Sequence, residues 1–230
     1  AMGARLTHRN IVANLLQAKA WAERQLTSEI ETVLTPLPLY HILSLTVSAL
    51  IFLGLGGRNI LIANPRDTKR VMQILRKRTF TGILAINTLY RAFLDNEEFC
   101  KRDFSNLKLA MAGGMATQRA VAERFKAVTG KPIVEGYGLT ECSPIVALNP
   151  VDLEHLREFD GSVGLPAPST LVRFRKDDGT WANIGEAGEL CVKGPQVMKG
   201  YWMRPDETAK VLDDEGWLAT GDIGLMDSAG

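Results

Sequence analysis

From Leu6 to Glu135 the apolar residues alternate between a helical and a strand-like period, and that alternation predicts the fold. Thr7 is a candidate N-cap for a helix carrying Ile11, Val12, Leu15, Leu16 and Lys19 at helical spacing. Thr32 to Leu37 predicts a strand, Ile42 to Leu55 an apolar helix, and Asn59 to Ala63 a buried strand. A helix capped by Asp67 and running through Arg78 follows, then a strand from Gly82 to Ile86. The next round predicts a helix near Leu89 to Leu94, a strand from Leu107 to Met111, a helix from Thr117 to Val128 and a strand from Pro132 to Glu135. Repeated βαβ units favour an α/β fold, a mostly parallel sheet flanked by helices on both faces.

From about Asp160 the texture changes. Glycine and proline become frequent, and short runs such as Leu171 to Phe174 and Glu189 to Val192 lie between the turn signals DDG at 177–179 and GEAG at 185–188. A small β-rich, barrel-like subdomain is expected there, dividing the chain into an α/β part over 1–155 and a β-rich part over 156–230. The uncharged run Ile42 to Leu55 is shorter than the ~20 residues that cross a bilayer, so a buried helix is expected instead. A net charge of +1 gives no footprint for nucleic acid, which leaves small molecules or proteins as partners. Cys100, Cys142 and Cys191 are widely spaced with no CxxC pair, a pattern that fits a reducing cytoplasmic setting better than zinc or disulfides. The opening AMGARLTHRN carries no apolar export signal.

Ligands of open α/β sheets sit at the carboxyl ends of the strands, so the loops after the predicted strands are where chemistry is expected. In Ala112-Gly113-Gly114-Met115 the paired glycines allow close backbone approach to a flat ligand, although plain turn geometry is the commoner reason for such a pair. In Glu135 to Glu141, Tyr137 stands between Gly136 and Gly138 and is followed by Thr140 and Glu141. A ring with open space on both sides can stack on a base, a hydroxyl can bond a phosphate oxygen, and a carboxylate can hold Mg²⁺. A turn with a surface tyrosine and a solvated glutamate accounts for the same pattern equally well. His41 ends a predicted strand, where it is placed to meet a substrate, while a lone histidine is more often a bonded core residue. Asp222 in Thr220-Gly221-Asp222 suits ribose hydroxyls or a simple turn.

Order and spacing carry the argument further. PLYH at 38–41, AGGM at 112–115, GYGLTE at 136–141, GELCVKGPQVMKGYWMRPDET at 188–208 and GWLATGD at 216–222 resemble the adenylate-forming superfamily of acyl-CoA synthetases, adenylation domains and luciferases. NPRD, PLYHIL and GPQVMKGYW resemble in particular its bacterial long-chain fatty-acid CoA ligases. The resemblance implies two steps, formation of an acyl-adenylate from a fatty acid and ATP and its transfer to coenzyme A with release of AMP. It implies that Tyr137 stacks on adenine, that Gly113, Gly114, Met115, Gly136 and Gly138 line the nucleotide, and that Thr140 bonds the α-phosphate. Glu141 would hold Mg²⁺, His41 would sit beside the acyl carboxylate, and Asp222 would bind the ribose. Similar proteins often have proline where Ala116 stands and lysine where Met2 stands, and they carry a phosphate loop before that lysine and a C-terminal lid. The resemblance thus implies an internal fragment that does not turn over alone. Alternatives are an aryl- or amino-acid-activating domain loading a carrier protein, against which the helix after His41 offers no acidic residue, and a non-catalytic nucleotide- or partner-binding module. A homodimer and a peripheral contact with the inner face of the cell membrane are compatible with the same pattern.

Overall fold

A computed structural model describes residues 2–22, 25–26, 30–151, 159 and 161–230. The first helix, α1 (His8–Ala22), starts where the sequence places it. Thr7 and Asn10 cap it reciprocally, the Thr7 N–H donating to Asn10 Oδ1 at 2.9 Å and the Asn10 N–H to Thr7 Oγ1 at 3.2 Å. Strand β1 (Thr32–Thr35) stops short of the expected Leu37, since Pro36 and Pro38 have no N–H for a ladder. The predicted helix over 42–55 is a π-helical segment (Ser44–Leu50) running into a short α2 (Ile51–Gly54). Two of its buried hydroxyls are anchored outside the helix, Ser44 Oγ donating to Leu37 O and Thr46 Oγ1 to Ser143 O, both at 3.0 Å. Strand β2 (Arg58–Leu61) precedes α3 (Thr68–Leu75), whose Asp67 cap accepts from the Arg70 N–H at 3.0 Å.

Then come β3 (Gly82–Ala85), α4 (Asn87–Leu94), a short α5 (Glu97–Cys100) and β4 (Leu109–Ala112). Helix α6 (Arg119–Thr129) ends at Gly130 in the left-handed conformation, φ 72°. Strand β5 (Ile133–Gly138) runs three residues beyond the expected Glu135, so the Gly-Tyr-Gly set lies in the strand and not in a turn after it. Two strands without an alternating apolar pattern follow, β6 (Ile145–Leu148) and β7 (Leu165–Pro166). The order β2-β1-β3-β4-β5-β6-β7 makes one seven-stranded sheet. It is parallel through β5 and antiparallel from β5 to β7.

The second sheet is small, antiparallel and open, in the order β10-β9-β8, built from β8 (Leu171–Arg175), β9 (Gly188–Lys193) and β10 (Leu218–Gly224). Helix α7 (Pro205–Val211) interrupts this β-rich region; its proline at the first turn is a normal helix start. No helix among the described residues is long and apolar enough to cross a membrane.

Alternate residues of each parallel strand face two separate cores. Leu34, Ile83, Ala110 and Ile133 pack with α3 to α6, while Val33, Leu84, Leu109 and Val134 pack with α1, the π-helical segment and α2. Helix α1 reverses its expected face. Val12 and Leu16 are exposed, while Asn10, Asn14 and Gln17 are buried. Beside the apolar contacts of Ala18 and Ala22, its inner surface meets chain carbonyls: Asn10 Nδ2 donates to Pro195 O and Val197 O, Asn14 Nδ2 to Ile145 O, and Gln17 Nε2 to Pro168 O. Amides satisfy those acceptors, and aliphatic side chains cannot.

Candidate functional site

Strands β3, β4 and β5 end at the same edge of the large sheet, and the sheet changes from parallel to antiparallel at β5. An apolar cavity of about 90 Å³ opens at this edge. His41, Gly113, Gly114, Gly136, Tyr137 and Thr140 belong to its wall. Deeper in, it runs between the sheet residues Met111, Leu109, Leu84 and Val134 and the helical residues Val47, Ile51, Phe52 and Ala18. Among the described residues that line it, none has an ionisable acid or base apart from His41 and the Tyr137 phenol.

His41 lies exposed at the mouth, held by its own N–H to Pro38 O at 3.1 Å. Its Nδ1 accepts from the Leu43 N–H at 3.3 Å, which assigns the neutral ring's proton to Nε2. Gly114 has φ 78°, a conformation that calls for glycine, and Gly113 is buried with ordinary clearance to Gly136 O and the Leu43 side chain. Met115, 59% exposed, stands away from the cavity.

The glycines flanking Tyr137 do not leave its ring open on both sides, as the spacing suggests. A Cβ on Gly138 would lie 2.1 Å from Pro144 O, and one on Gly136 would lie 2.6 Å from Leu148 Cδ2. Both glycines let β6 and the preceding turn come close to β5. The half-buried ring of Tyr137 packs against a third apolar cluster that includes Cys142, Val146, Leu190 and Leu218. Its hydroxyl donates to Asp222 Oδ2 at 2.5 Å. Burial first, then the Asp222 carboxylate, pushes this phenol well above its usual range, so it stays a donor.

Asp222 reaches Tyr137 because β10 bulges. Between the Ala219–Cys191 and Ile223–Glu189 pairs, the outer strand carries more residues than its partner, which throws Thr220, Gly221 and Asp222 out of register. Gly221 takes φ 80° at the bend, and Thr220 Oγ1 ties the bulge to Leu190 O at 2.9 Å. On its far side Tyr137 borders a second cavity of about 350 Å³, shared with Asp222, Ile223 and the turn at 161–164.

Thr140 and Glu141 begin a single 3-10 turn (Thr140–Cys142). The Thr140 hydroxyl is exposed and makes no hydrogen bond among the described residues. Glu141 Oε1 accepts from the Tyr201 hydroxyl at 2.9 Å, and the Glu141 carbonyl accepts from the Met198 N–H at 2.7 Å. Tyr201 itself is set by the N-terminal segment, through its bridge to Ala4 and the Trp202 N–H bond to Gly3 O at 2.7 Å. Tyr201, Trp21 and Phe52 were not among the expected site residues. The first sits in the GPQVMKGYW segment, where its partner is sixty residues away in sequence, and the other two resemble ordinary helix core. Among the described residues no three His, Cys, Asp or Glu side chains converge as a metal cage. A lone carboxylate with one oxygen bonded does fit Mg²⁺ held mainly by phosphate oxygens and water, its usual mode beside a nucleotide.

Two mostly apolar cavities share one tyrosine at the carboxyl edge of an open α/β sheet, the first with His41 and Thr140 on its wall and the second with Asp222 and Asp227. The chain belongs to the AMP-binding enzyme family, whose sequence signature matches residues 3–202. It is 56% identical over 230 residues to a long-chain-fatty-acid–CoA ligase of Yersinia pestis and 38% identical over 231 residues to one of Bacillus subtilis. All of this chain, or 99% of it in the second case, is matched to 40% of each relative's length. Among solved structures it superimposes on ATP-bound MatB from Rhodopseudomonas palustris with a TM-score of 0.88 at 27% identity, covering 100% of this chain and 44% of that one.

Proposed function

We propose that this chain is the acyl- and adenylate-binding part of an ATP-dependent long-chain fatty-acid–CoA ligase. The observation that carries the reading is the apolar cavity opening onto the same wall as His41, Tyr137 and Thr140. The reaction proceeds in two steps. A fatty-acid carboxylate oxygen attacks the α-phosphorus of ATP and pyrophosphate leaves; the thiol of coenzyme A then attacks the acyl carbonyl and AMP leaves. In the first step positioning and charge neutralisation do most of the work. His41 at the cavity mouth orients the carboxylate, and the unbonded Thr140 hydroxyl donates to an α-phosphate oxygen. Asp222 accepts from ribose hydroxyls, and Tyr137 with Gly113 and Gly114 borders the base. Mg²⁺, where bound, offsets charge on the leaving pyrophosphate, and Glu141 is the residue that would hold it, oriented by Tyr201.

A peripheral membrane contact is supported by residues 58–78, which hold seven Lys and Arg against one Asp in a chain of net charge +1. Three free thiols support a reducing, cytoplasmic setting.

The test is fatty-acid-dependent exchange of pyrophosphate into ATP by the full-length protein, compared with acyl-CoA formation from preformed acyl-adenylate. Long-chain acids are expected to drive exchange. Glu141→Ala is expected to slow exchange on the order of a hundredfold and to leave thioester formation from the adenylate much less affected. Equal loss in both half-reactions removes the role given to Glu141, and exchange driven only by aromatic or amino acids removes the fatty-acid reading.

A further inference from the structure

The cavity is too small for a long acyl chain as it stands. Its 90 Å³ compares with the ~10–15 Å³ of the same kind of space that a single water needs. The sheet floor from Gly113 at the mouth to Leu109 at the deep end spans the five residues of β4 and its following loop, four steps or about 13 Å at the usual strand rise. A fully extended long chain is longer than that, so whatever stands at the deep end decides how far it reaches.

Phe52 stands there. It lines the cavity and is 1% exposed. Its ring lies over Gly82, the residue beside Leu109 in the β3–β4 register: a Cβ added to Gly82 would come within 3.0 Å of Phe52 Cζ and 3.4 Å of Cε1. Gly82 shares its face of β3 with Leu84, so the row of cavity-facing side chains has a gap at Gly82, and the Phe52 ring fills it. The backbone that carries the ring is fixed, with Phe52 O accepting from the Gly57 N–H at 2.7 Å and from the Leu55 N–H at 3.2 Å. Only the ring is free to be shortened or displaced.

We propose that Phe52, seated on Gly82, closes the deep end of the acyl channel and sets its chain-length preference. This rests on the fatty-acid reading above. Truncating the ring opens the gap over Gly82 and lengthens the channel, whereas a methyl group on Gly82 pushes the ring toward the mouth and shortens it. One pair of substitutions therefore moves specificity in opposite directions, which a merely structural contact would not do.

The experiment is a series of saturated acids from eight to eighteen carbons with the full-length protein, scoring kcat/KM for each acid and KM for ATP. Phe52→Ala is expected to raise the ratio of long- to short-chain kcat/KM about tenfold, and Gly82→Ala to lower it by a similar factor, in the range that pocket fit commands. KM for ATP stays unchanged in both. Phe52→Leu, which keeps most of the packing, moves the ratio in the same direction as Phe52→Ala by less, and covers the case in which the alanine variant fails to fold. A uniform loss across all chain lengths, or an unmoved ratio in the soluble variants, overturns the proposal while leaving the fatty-acid reading in place. Absence of activity with every acid in the unsubstituted protein overturns that reading, and this proposal with it.

Discussion

The two faces of the large sheet are built from adjacent residues of the same strands, yet they pack in different ways. On the side of α3 to α6 the core is aromatic and continuous. Tyr90 meets Phe125 edge-on with ring centres 5.0 Å apart, Phe93 stacks on Phe99 at 5.3 Å, and Phe99 meets Phe104 at 5.1 Å. The Tyr90 hydroxyl is satisfied by Met111 O at 2.6 Å. On the side of α1 and α2 the core consists mostly of Ala, Val, Ile and Leu, with the ring of Phe52 deep inside and a cavity left open. Dense packing fixes strand positions, and a face left incomplete on that support can accept a ligand. One face is scaffold, and the other carries the candidate site.

Truncation separates the two faces most sharply. Phe125 is fully buried, and Phe125→Ala is expected to lower the unfolding free energy by about 3–5 kcal/mol, because the rigid aromatic core leaves a void. Leu84→Ala, on the cavity face, is expected to cost nearer to 2 kcal/mol, the lower end for such changes, because the neighbouring space is already open. Urea unfolding followed by circular dichroism measures both. A larger loss for Leu84→Ala would erase the contrast.

The next effect tests the polar seam between α1 and β6. Asn14 both donates to Ile145 O at 2.9 Å and accepts from the Ile145 N–H at 3.0 Å, and Ile145 lines the cavity. Asn14→Leu takes away the Ile145 N–H's side-chain acceptor and leaves Ile145 O only the long 3.4 Å bond from Gln196 Nε2, with an expected cost of about 1–3 kcal/mol. It also loosens the cavity wall, so a fluorescent fatty acid should bind the full-length variant more weakly. Unchanged stability would mean that β6 holds its place without the amide.

Much of this contrast is legible in the sequence on the scaffold face and little of it on the site face. Strands such as Gly82–Ala85 and helices such as Asn87–Leu94 declare themselves, because local apolar runs suffice to bury them on a sheet. The α1 face misleads, because its partners are carbonyls from residues 145 to 197, and no local period encodes them. β7, only two residues long, gives no pattern at all. For the site, the motifs place His41, Gly113, Gly114, Gly136, Tyr137 and Thr140 on one cavity wall and join Asp222 to it through Tyr137, whereas Met115 stands apart. Glycine carries two meanings that spacing cannot separate. Gly114 needs its backbone angle, while Gly136 and Gly138 make room for another strand and none for a ligand.

The smallest expected effect concerns the polar rim, which belongs to neither core. Burial, followed by the bond to the Glu141 carboxylate, pushes the Tyr201 phenol up to about 12 from an ordinary value of 10.0. A folded pKa above the unfolded one means that the contribution to stability is complete below about pH 10 and is lost as pH rises toward 12. Tyr90 and Tyr137 are raised as well, so the unsubstituted protein loses stability over this range from several groups together. Tyr201→Phe removes one of them. Its urea midpoint should lie slightly below that of the parent at neutral pH, and the gap should narrow as the pH passes from about 10 toward 12. A gap that stays constant with pH would show that the Tyr201 hydroxyl is not what holds Glu141 in place, and would return the orientation of that carboxylate to the backbone of the 3-10 turn alone.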